Sequence, residues 1–412
     1  MKRVSRLELL NTGTELLFGS VVNTHLSYLG QQLFSLGLRI QRQTAVPDGY
    51  AIRDAILEAA PRADALLITG GLGPTSDDVT RDIVAELTDR PLEYVESIFG
   101  RIRARFEQRG LRMSERISRQ AYVPRGATVL DNDFGTAPGL YVPATEQLPH
   151  MFLLPGPPRE LRPMFEVKVV PLLRGLAAET DLQAIVYRTS GLGESYVEEM
   201  VGKDLERFAG IEVGYCAHVG EVDLRLIGGA QALAEADRLV REKLGDYIVT
   251  TEAKGLPEVV VQQLTERKAS LATAESCTGG HLADRLTDVP GASAVLLEGH
   301  VTYSNAAKES TLNVPRDLLE TVGAVSEEVA TAMAEGVRAR ANADFGLSTT
   351  GIAGPGGGTA AKPVGTVYVG LAEKGCKTRV EKLFFPSDRE TFKQMVSQHA
   401  LNLLRRRLAG SA

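Results

Sequence analysis

Four side chains able to make and break an acyl bond, Ser276, Cys277, Tyr303 and Lys308, stand at two strand-to-helix turns in the last third of the chain. In SLATAESCTGGHLADRL an apolar run ends at Glu275, and Ser276, Cys277 and Thr278 lead into Gly279 and Gly280. The N–H groups of those glycines could hold an oxyanion at the start of the next helix. A serine attacks only after a base takes its proton, and no histidine lies in a comparable strand exit. A lysine of depressed pKa can do so, and VTYSNAAKES supplies Lys308 with Tyr303 close by to hold or relay the proton. Cys277 is a rival nucleophile, although a free cysteine in such a domain is more often a small buried hydrophobe. Two more loops belong to the same end of the domain: STTGIAGPGGGTAAKPVGTV, with Thr350 at its start, and FFPSDRE, with Arg389 at a helix start. An arginine there suits a phosphate or carboxylate. Taken singly, Lys308 reads as a solvated helix residue, Arg389 as a surface ion-pair partner and Thr350 as a cap. Their joint placement at strand exits points to a site.

A second group of loops lies in the first third. ITGGLGPTSDDVT leaves a strand through Gly70, Gly71 and Gly73 and enters a helix whose first turn is expected to carry Asp77, Asp78 and Thr80. Bare glycine backbone and a helix N-terminus suit a phosphate, whereas paired aspartates repel one, and a hard cation such as Mg²⁺ bridging carboxylates to a diphosphate reconciles the two. A tight turn followed by an aspartate N-cap accounts for the same residues without a ligand. NTGTELLFGSVVNTH places Glu15, Asn23 and Thr24 at another strand exit, and DFGTAPG and LLPGPPREL repeat the Gly/Pro-rich chemistry. In open α/β sheets ligands sit at the carboxyl ends of strands.

The elements that must position these loops follow from the pattern. Short apolar runs alternate with amphipathic stretches, which predicts a parallel α/β sheet in the first domain. Helices are expected over Asn23–Leu38, Ala51–Ala60, Val79–Leu87, Glu93–Arg109, Ser114–Ala121 and from Pro158 onward. From Leu182 to Tyr247 two strands and two helices predict a small α+β module, and a further α/β series closes in a helix over Arg389–Leu408. The expected domains are 1–177, 178–250 and 251–412. The 412 residues carry 46 basic against 52 acidic side chains, a net charge of −6 that opposes a general affinity for nucleic acid or anionic membranes. Cys216, Cys277 and Cys376 make no disulfide framework or CxxC motif, so a reducing cytoplasm is expected. The six histidines never fall at the spacing of a helical zinc site, and neither a secretory signal nor a membrane span is expected.

With these motifs in hand, the chain resembles the competence/damage-inducible CinA family over essentially its whole length. TGTELLFGSVVNT, GGLGPTSDDVT, GTAPG and LPGPP are similar to the molybdopterin-binding (MoCF) family, and AESCTGG, YSNAAK, GAVSEEVA and GIAGPGGGTAAKPVGTV to the nicotinamide mononucleotide amidohydrolase family. The resemblance implies an α/β fold throughout: an N-terminal MoCF-like three-layer domain, a small KH-like α+β middle domain and a C-terminal α/β deamidase domain. It further implies hydrolysis of ADP-ribose with a divalent metal (Mg²⁺ or similar, with K⁺ a second candidate) at the first site. Asp77, Asp78 and Glu15 would hold that metal, and Gly71, Gly73 and Asn23 the substrate. At the last site it implies conversion of nicotinamide mononucleotide to nicotinic acid mononucleotide and ammonia without a cofactor. Ser276 would be the nucleophile, Lys308 and Tyr303 would activate it, and Thr350, Arg389, Thr278, Gly279 and Gly280 would bind substrate. A homodimer acting on small nucleotides, touching neither membrane nor nucleic acid, is expected. The alternatives are a first domain that only binds a pterin or nucleotide, and a non-catalytic partner in DNA uptake or repair. The chain departs from the family pattern at Thr14, His25 and Ser387.

Overall fold

The structure is a computed structural model and describes residues 3–34, 36–177 and 181–410. It divides into two compact units, residues 1–182 and 183–412, so the small middle module and the last domain share the second unit. The start of the expected middle domain, residue 178, lies outside the described residues, as does Ser35 in the helix expected over Asn23–Leu38.

The first unit holds strands β1 (Leu7–Thr12), β2 (Ile40–Val46), β3 (Ala65–Thr69), β4 (Leu92–Tyr94), β5 (Tyr122–Pro124), β6 (Thr128–Leu130), β7 (Gly139–Val142) and β8 (His150–Leu154). Six of them form one sheet in the order β2-β1-β3-β8-β7-β6. The first four are mutually parallel, but β7 runs antiparallel to β8 and to β6, so the all-parallel expectation fails at that edge. Strands β1, β3 and β8 are buried at every position, because helices cover both faces. Leu10, Leu66, Ile68, Met151 and Leu153 pack on one side with Ile52, Ile56, Val84 and Ile98. Leu7, Leu9, Leu67, Phe152 and Leu154 pack on the other with Leu29, Leu33, Leu161 and Phe165. This period-two division of each strand is what makes three layers.

Some elements differ from expectation. The helix expected from Asn23 runs His25–Phe34. Glu93 belongs to β4, which pairs with β5, and the helix begins at Glu96. The stretch from Glu115 to Ala121 is a 3₁₀ helix, and the run after Pro158 contains a π-helical turn over Phe165–Val169, beginning two residues after Pro163.

In the second unit β9 (Leu182–Ser190), β10 (Glu212–His218), β11 (Glu221–Gly229) and β12 (Ile248–Thr250) form a sheet ordered β10-β11-β9-β12, covered by helices Glu194–Leu205 and Ala230–Leu244. The last domain is built on β13 (Leu271–Glu275), β14 (Leu296–Val301), β15 (Phe345–Gly351), β16 (Thr366–Glu373) and β17 (Arg379–Phe384), ordered β14-β13-β15-β16-β17. The first three are parallel, and β16 is antiparallel to both neighbours. Leu271, Leu347, Val367 and Val369 face helices Leu256–Arg267 and Arg389–Ala409, while Ala272 and Ala274 face helix Glu327–Ala341. The α/β, α+β, α/β sequence of folds is as expected. Among the described residues no helix is long and apolar enough to cross a membrane.

Candidate active site

The carboxyl ends of β13, β14, β15 and β17 lie on one edge of their sheet, because three of these strands are parallel and β17 returns to the same direction after antiparallel β16. That topology gathers the loops carrying Ser276, Tyr303, Gly351 and Arg389. Ser276 follows the last residue of β13, and its N–H donates to Thr349 O of β15 at 3.0 Å. Lys308 sits in the first turn of helix Asn305–Leu312, which Ser304 caps by accepting from Ala307 N. From there the Lys308 Nζ donates to Ser276 Oγ at 2.9 Å and to the Thr302 carbonyl at 2.8 Å.

Lys308 is 1% exposed, so it is not the solvated helix residue that its sequence context allows. No carboxylate bonds to it among the described residues, and burial pushes its ammonium from 10.5 down to about 8. Glu275, also 1% exposed, is the nearest acid in sequence to Ser276, but its carboxylate is used otherwise. It accepts from the N–H groups of Gly280 and Leu282 (both 3.0 Å) and Ala283 (2.8 Å). The Glu275 carboxylate thereby fixes the turn that presents Ser276. Cys277 is buried, and its thiol is pushed up to about 12, which leaves Ser276 as the available nucleophile.

The remaining expectations for this loop are met by different atoms. The Gly279 N–H donates to Ser276 O and the Gly280 N–H to Glu275, so neither faces an oxyanion. Their positive φ angles, 62° and 96°, instead make the tight turn. Among the described residues the N–H groups of Cys277 and Thr278 make no backbone–backbone hydrogen bond, and the Cys277 N–H lies against its own thiol. The Thr278 side chain is buried and bonds Thr349 Oγ1 at 2.7 Å, bracing β13 on β15. Thr350 donates to Ala324 O at 2.7 Å and is likewise buried. Tyr303 meets Lys308 only through its carbonyl, at 3.4 Å. Its ring is exposed and its hydroxyl accepts from Arg389 at 2.8 Å, an arrangement that suits holding a substrate rather than relaying the Ser276 proton. Arg389 also donates to Gly354 O at 3.0 Å, tying the glycine-rich loop to the start of the last helix.

The first unit's loops are packed as closely as their glycines predict. A Cβ on Gly70 would stand 2.4 Å from Thr12 O, one on Gly71 2.0 Å from Thr80 Oγ1, and one on Gly73 2.3 Å from the Asp78 carboxylate. Asp78 accepts from the Thr75 N–H at 2.9 Å and from its hydroxyl, closing the turn. Asp77 is exposed, and the Thr75 hydroxyl holds its carboxyl below the usual range. Asn23 Oδ1 accepts from His25 N at 3.0 Å, an Asx turn that starts the helix. Glu15 is exposed and folds over Gly13. Among the described residues no three His, Cys, Asp or Glu side chains form a group that could hold a metal ion, so Glu15, Asp77 and Asp78 are not assembled into one. Nothing in the sequence singles out Asp48, and His25 is marked there only as a departure from the family pattern. Asp48 accepts from Thr14 N and Oγ1, both at 3.0 Å. Buried His25 is bonded to Asn11 and Thr69, and burial drives it toward its neutral form.

Sequence models of three families match successive parts of the chain. They are the "Probable molybdopterin binding domain" over residues 8–175, the "Damage-inducible protein CinA KH domain" over 185–249 and the "CinA C-terminal domain" over 253–408. A CinA-like protein of Akkermansia muciniphila is 49% identical over 401 residues, covering 97% of each chain. One from Dictyoglomus thermophilum is 40% identical over 411 residues, covering 98% of this chain and 99% of its own. The crystal structure of the competence/damage inducible protein CihA from Agrobacterium tumefaciens is 37% identical over 38% of this chain and 97% of its own, with a TM-score of 0.35. Three domain types in this order, together with such identity along nearly the full length, mean that the chain belongs to the CinA family.

Proposed function

We propose that the last domain is an amidohydrolase acting by a serine–lysine mechanism on the carboxamide of nicotinamide mononucleotide, releasing ammonia and nicotinic acid mononucleotide. The observation that carries this reading is the 2.9 Å contact between Lys308 Nζ and Ser276 Oγ, with the lysine buried away from any carboxylate. Neutral Lys308 takes the Ser276 proton as Oγ bonds to the carboxamide carbon. The carbonyl oxygen becomes an oxyanion facing the N–H groups of Cys277 and Thr278. Lys308 returns the proton to the nitrogen as the C–N bond breaks, so ammonia leaves and an ester to Ser276 remains. Water then adds to that ester with Lys308 taking its proton. The C–Oγ bond breaks, the acid leaves, and Ser276 regains its hydrogen. The substrate class comes from the likeness to nicotinamide mononucleotide amidohydrolases.

For the first domain the glycine turn at Gly70–Gly73 supports binding of a nucleotide diphosphate, and the family likeness extends this to ADP-ribose hydrolysis. Because Glu15, Asp77 and Asp78 form no metal-holding group among the described residues, the residues present do not fit a protein-held metal. One experiment tests both readings: purified protein is incubated separately with nicotinamide mononucleotide and with ADP-ribose plus Mg²⁺, and the products are identified. Ammonia from the first that disappears in Ser276→Ala supports the amidase. Its absence in the wild type refutes it.

A further inference from the structure

Strands β14, β13 and β15 are parallel, and Glu275 at the end of β13 stands opposite Val301 on one side and Thr349 on the other. One step further along, Thr302, Ser276 and Thr350 come level, with Thr302 N donating to Glu275 O at 2.8 Å and Ser276 N to Thr349 O at 3.0 Å. Side chains at one register of a parallel sheet point to the same face. Ser276 is therefore flanked by two threonines. The protein spends the hydroxyls around it on its own structure. Thr350 donates to Ala324 O at 2.7 Å, Ser348 to Ala330 O at 2.6 Å, and Thr278 and Thr349 bond each other at 2.7 Å. Thr302 differs: it is 2% exposed, and its Oγ1 has no hydrogen-bond partner among the described residues. Its carbonyl, by contrast, holds Lys308 Nζ at 2.8 Å, the same nitrogen that donates to Ser276 Oγ at 2.9 Å. Thr273 Oγ1 is also unpaired, but three residues before Ser276 it alternates to the opposite face, where a Cβ on Gly299 would meet it at 3.2 Å. A buried hydroxyl without a partner is costly, and an ordered water is one way in which such a group is satisfied.

We propose that Thr302 Oγ1 holds the water that hydrolyses the Ser276 ester, so that Thr302 serves the second half of the reaction and not the first. This rests on the serine–lysine reading above, but not on its substrate. A buried water needs at least two polar partners, and here Thr302 Oγ1 and Lys308 Nζ are two, beside the serine that carries the acyl group. In the free protein Lys308 is engaged with the Ser276 hydroxyl. Once that oxygen is an ester it has no proton to give, and neutral Nζ is open to one from water. Thr302 Oγ1 accepts the proton of the water that stays behind, which turns a lone pair of the water oxygen toward the ester carbon. The oxygen bonds to that carbon as Nζ takes the other proton. The C–Oγ bond then breaks, the acid leaves, and Nζ returns the proton to Oγ.

The test uses p-nitrophenyl acetate, which acetylates an activated serine whatever amide the protein prefers. With protein in excess, nitrophenolate release gives the rate of acetylation, and the decay of the acetylated mass gives the rate of hydrolysis. The wild type, Thr302→Val, Thr302→Ser and Thr273→Val are compared, with Ser276→Ala as the blank. Valine keeps the shape of threonine and removes the hydroxyl, so Thr302→Val should acetylate within a few-fold of the wild type and lose the acetyl group about ten- to hundredfold more slowly. Thr302→Ser and Thr273→Val should hold both rates within a few-fold, and if the valine variant does not fold, Thr302→Ala makes the same comparison. Both rates slowed together at position 302, hydrolysis unchanged there, or an equal effect in Thr273→Val overturns the proposal. Ammonia release from nicotinamide mononucleotide tests the underlying reading separately. A wild type that shows the acetyl pattern but releases no ammonia removes the amide substrate alone. A wild type not acetylated at Ser276 removes the serine–lysine mechanism and the water site with it.

Discussion

The pH dependence of deamidation follows from the burial of Lys308. With its pKa at about 8, the lysine is neutral in about 1% of molecules at pH 6, about 9% at pH 7 and half at pH 8. At the ordinary value of 10.5 the neutral fraction at pH 7 would be roughly 300-fold smaller, so burial is what makes this residue a usable base. Ammonia release at saturating nicotinamide mononucleotide should rise about tenfold from pH 6 to 7, about fivefold from 7 to 8, and level off above 9. Saturation matters because kcat reports ionisations of the bound complex, whereas kcat/KM also carries the second phosphate ionisation of the free substrate, near pH 6. The same depression sets a stability trend. Folding neutralises the group, so between about 8 and 10.5 the unfolded chain binds the extra proton and stability rises with pH. Below pH 8 the full cost of burying the ammonium is present, roughly 3 kcal/mol, and Lys308→Met should recover up to that amount at pH 7 while abolishing turnover. The gain should shrink to nothing above about pH 10.5. A kcat still climbing tenfold per pH unit beyond pH 9, or flat from 6 to 8, would refute the reasoning, as would a methionine variant less stable than the wild type at pH 7.

Ser276→Ala should lose ammonia release while Cys277→Ala keeps most of it, since the thiol is buried with its pKa near 12; the reverse pattern in the same assay would reassign the nucleophile. Gly70→Ala should cost about 2 kcal/mol or more in denaturant unfolding, because φ is 100° and the new Cβ meets Thr12 O at 2.4 Å. Gly110→Ala, at a φ of 62° with nothing within 4 Å, should cost about 1 kcal/mol, and equal losses at the two positions would mean that the close approach at Gly70 relaxes freely.

Strands β3 and β8 were legible in the sequence because burial on both faces writes them as nearly continuous apolar runs, ALLIT and HMFLL, while β1, β13 and β15 carry Glu8, Thr273 and Ser348 inside equally buried runs. Strand β10 was not, since EVGYCAH is half polar and gains its place only by pairing with β11. Glu93 resembled a helix start because its partner Val123 lies 30 residues away. Ser276 and Lys308 could be read as a pair, as each lies in a strand-to-helix segment at the same edge of the sheet. What their neighbours do could not: the hydroxyls of Thr278, Thr350 and Tyr303 turn toward Thr349, Ala324 and Arg389, partners fixed by tertiary packing alone.

Glu275 shows how one turn keeps a buried acid from pairing with a buried lysine. Had its carboxylate met Lys308, the ion pair would have raised the lysine's pKa and removed the base. Three backbone N–H groups occupy it instead, and the carbonyl of Thr302 takes the lysine. Glu275→Gln tests this separation. The amide keeps one acceptor oxygen but turns an NH₂ toward donors that need an acceptor, so at least one N–H among Gly280, Leu282 and Ala283 loses its bond. That should cost about 1.5–3 kcal/mol in unfolding free energy and lower kcat as the Ser276 turn loosens. Because Glu275 acts on the turn and not on the lysine's charge, the pH midpoint of the remaining activity should stay near 8. A midpoint moved well below 8 in this variant would mean that the carboxylate sustains the ammonium directly, and the division of roles between Glu275 and Lys308 would be wrong.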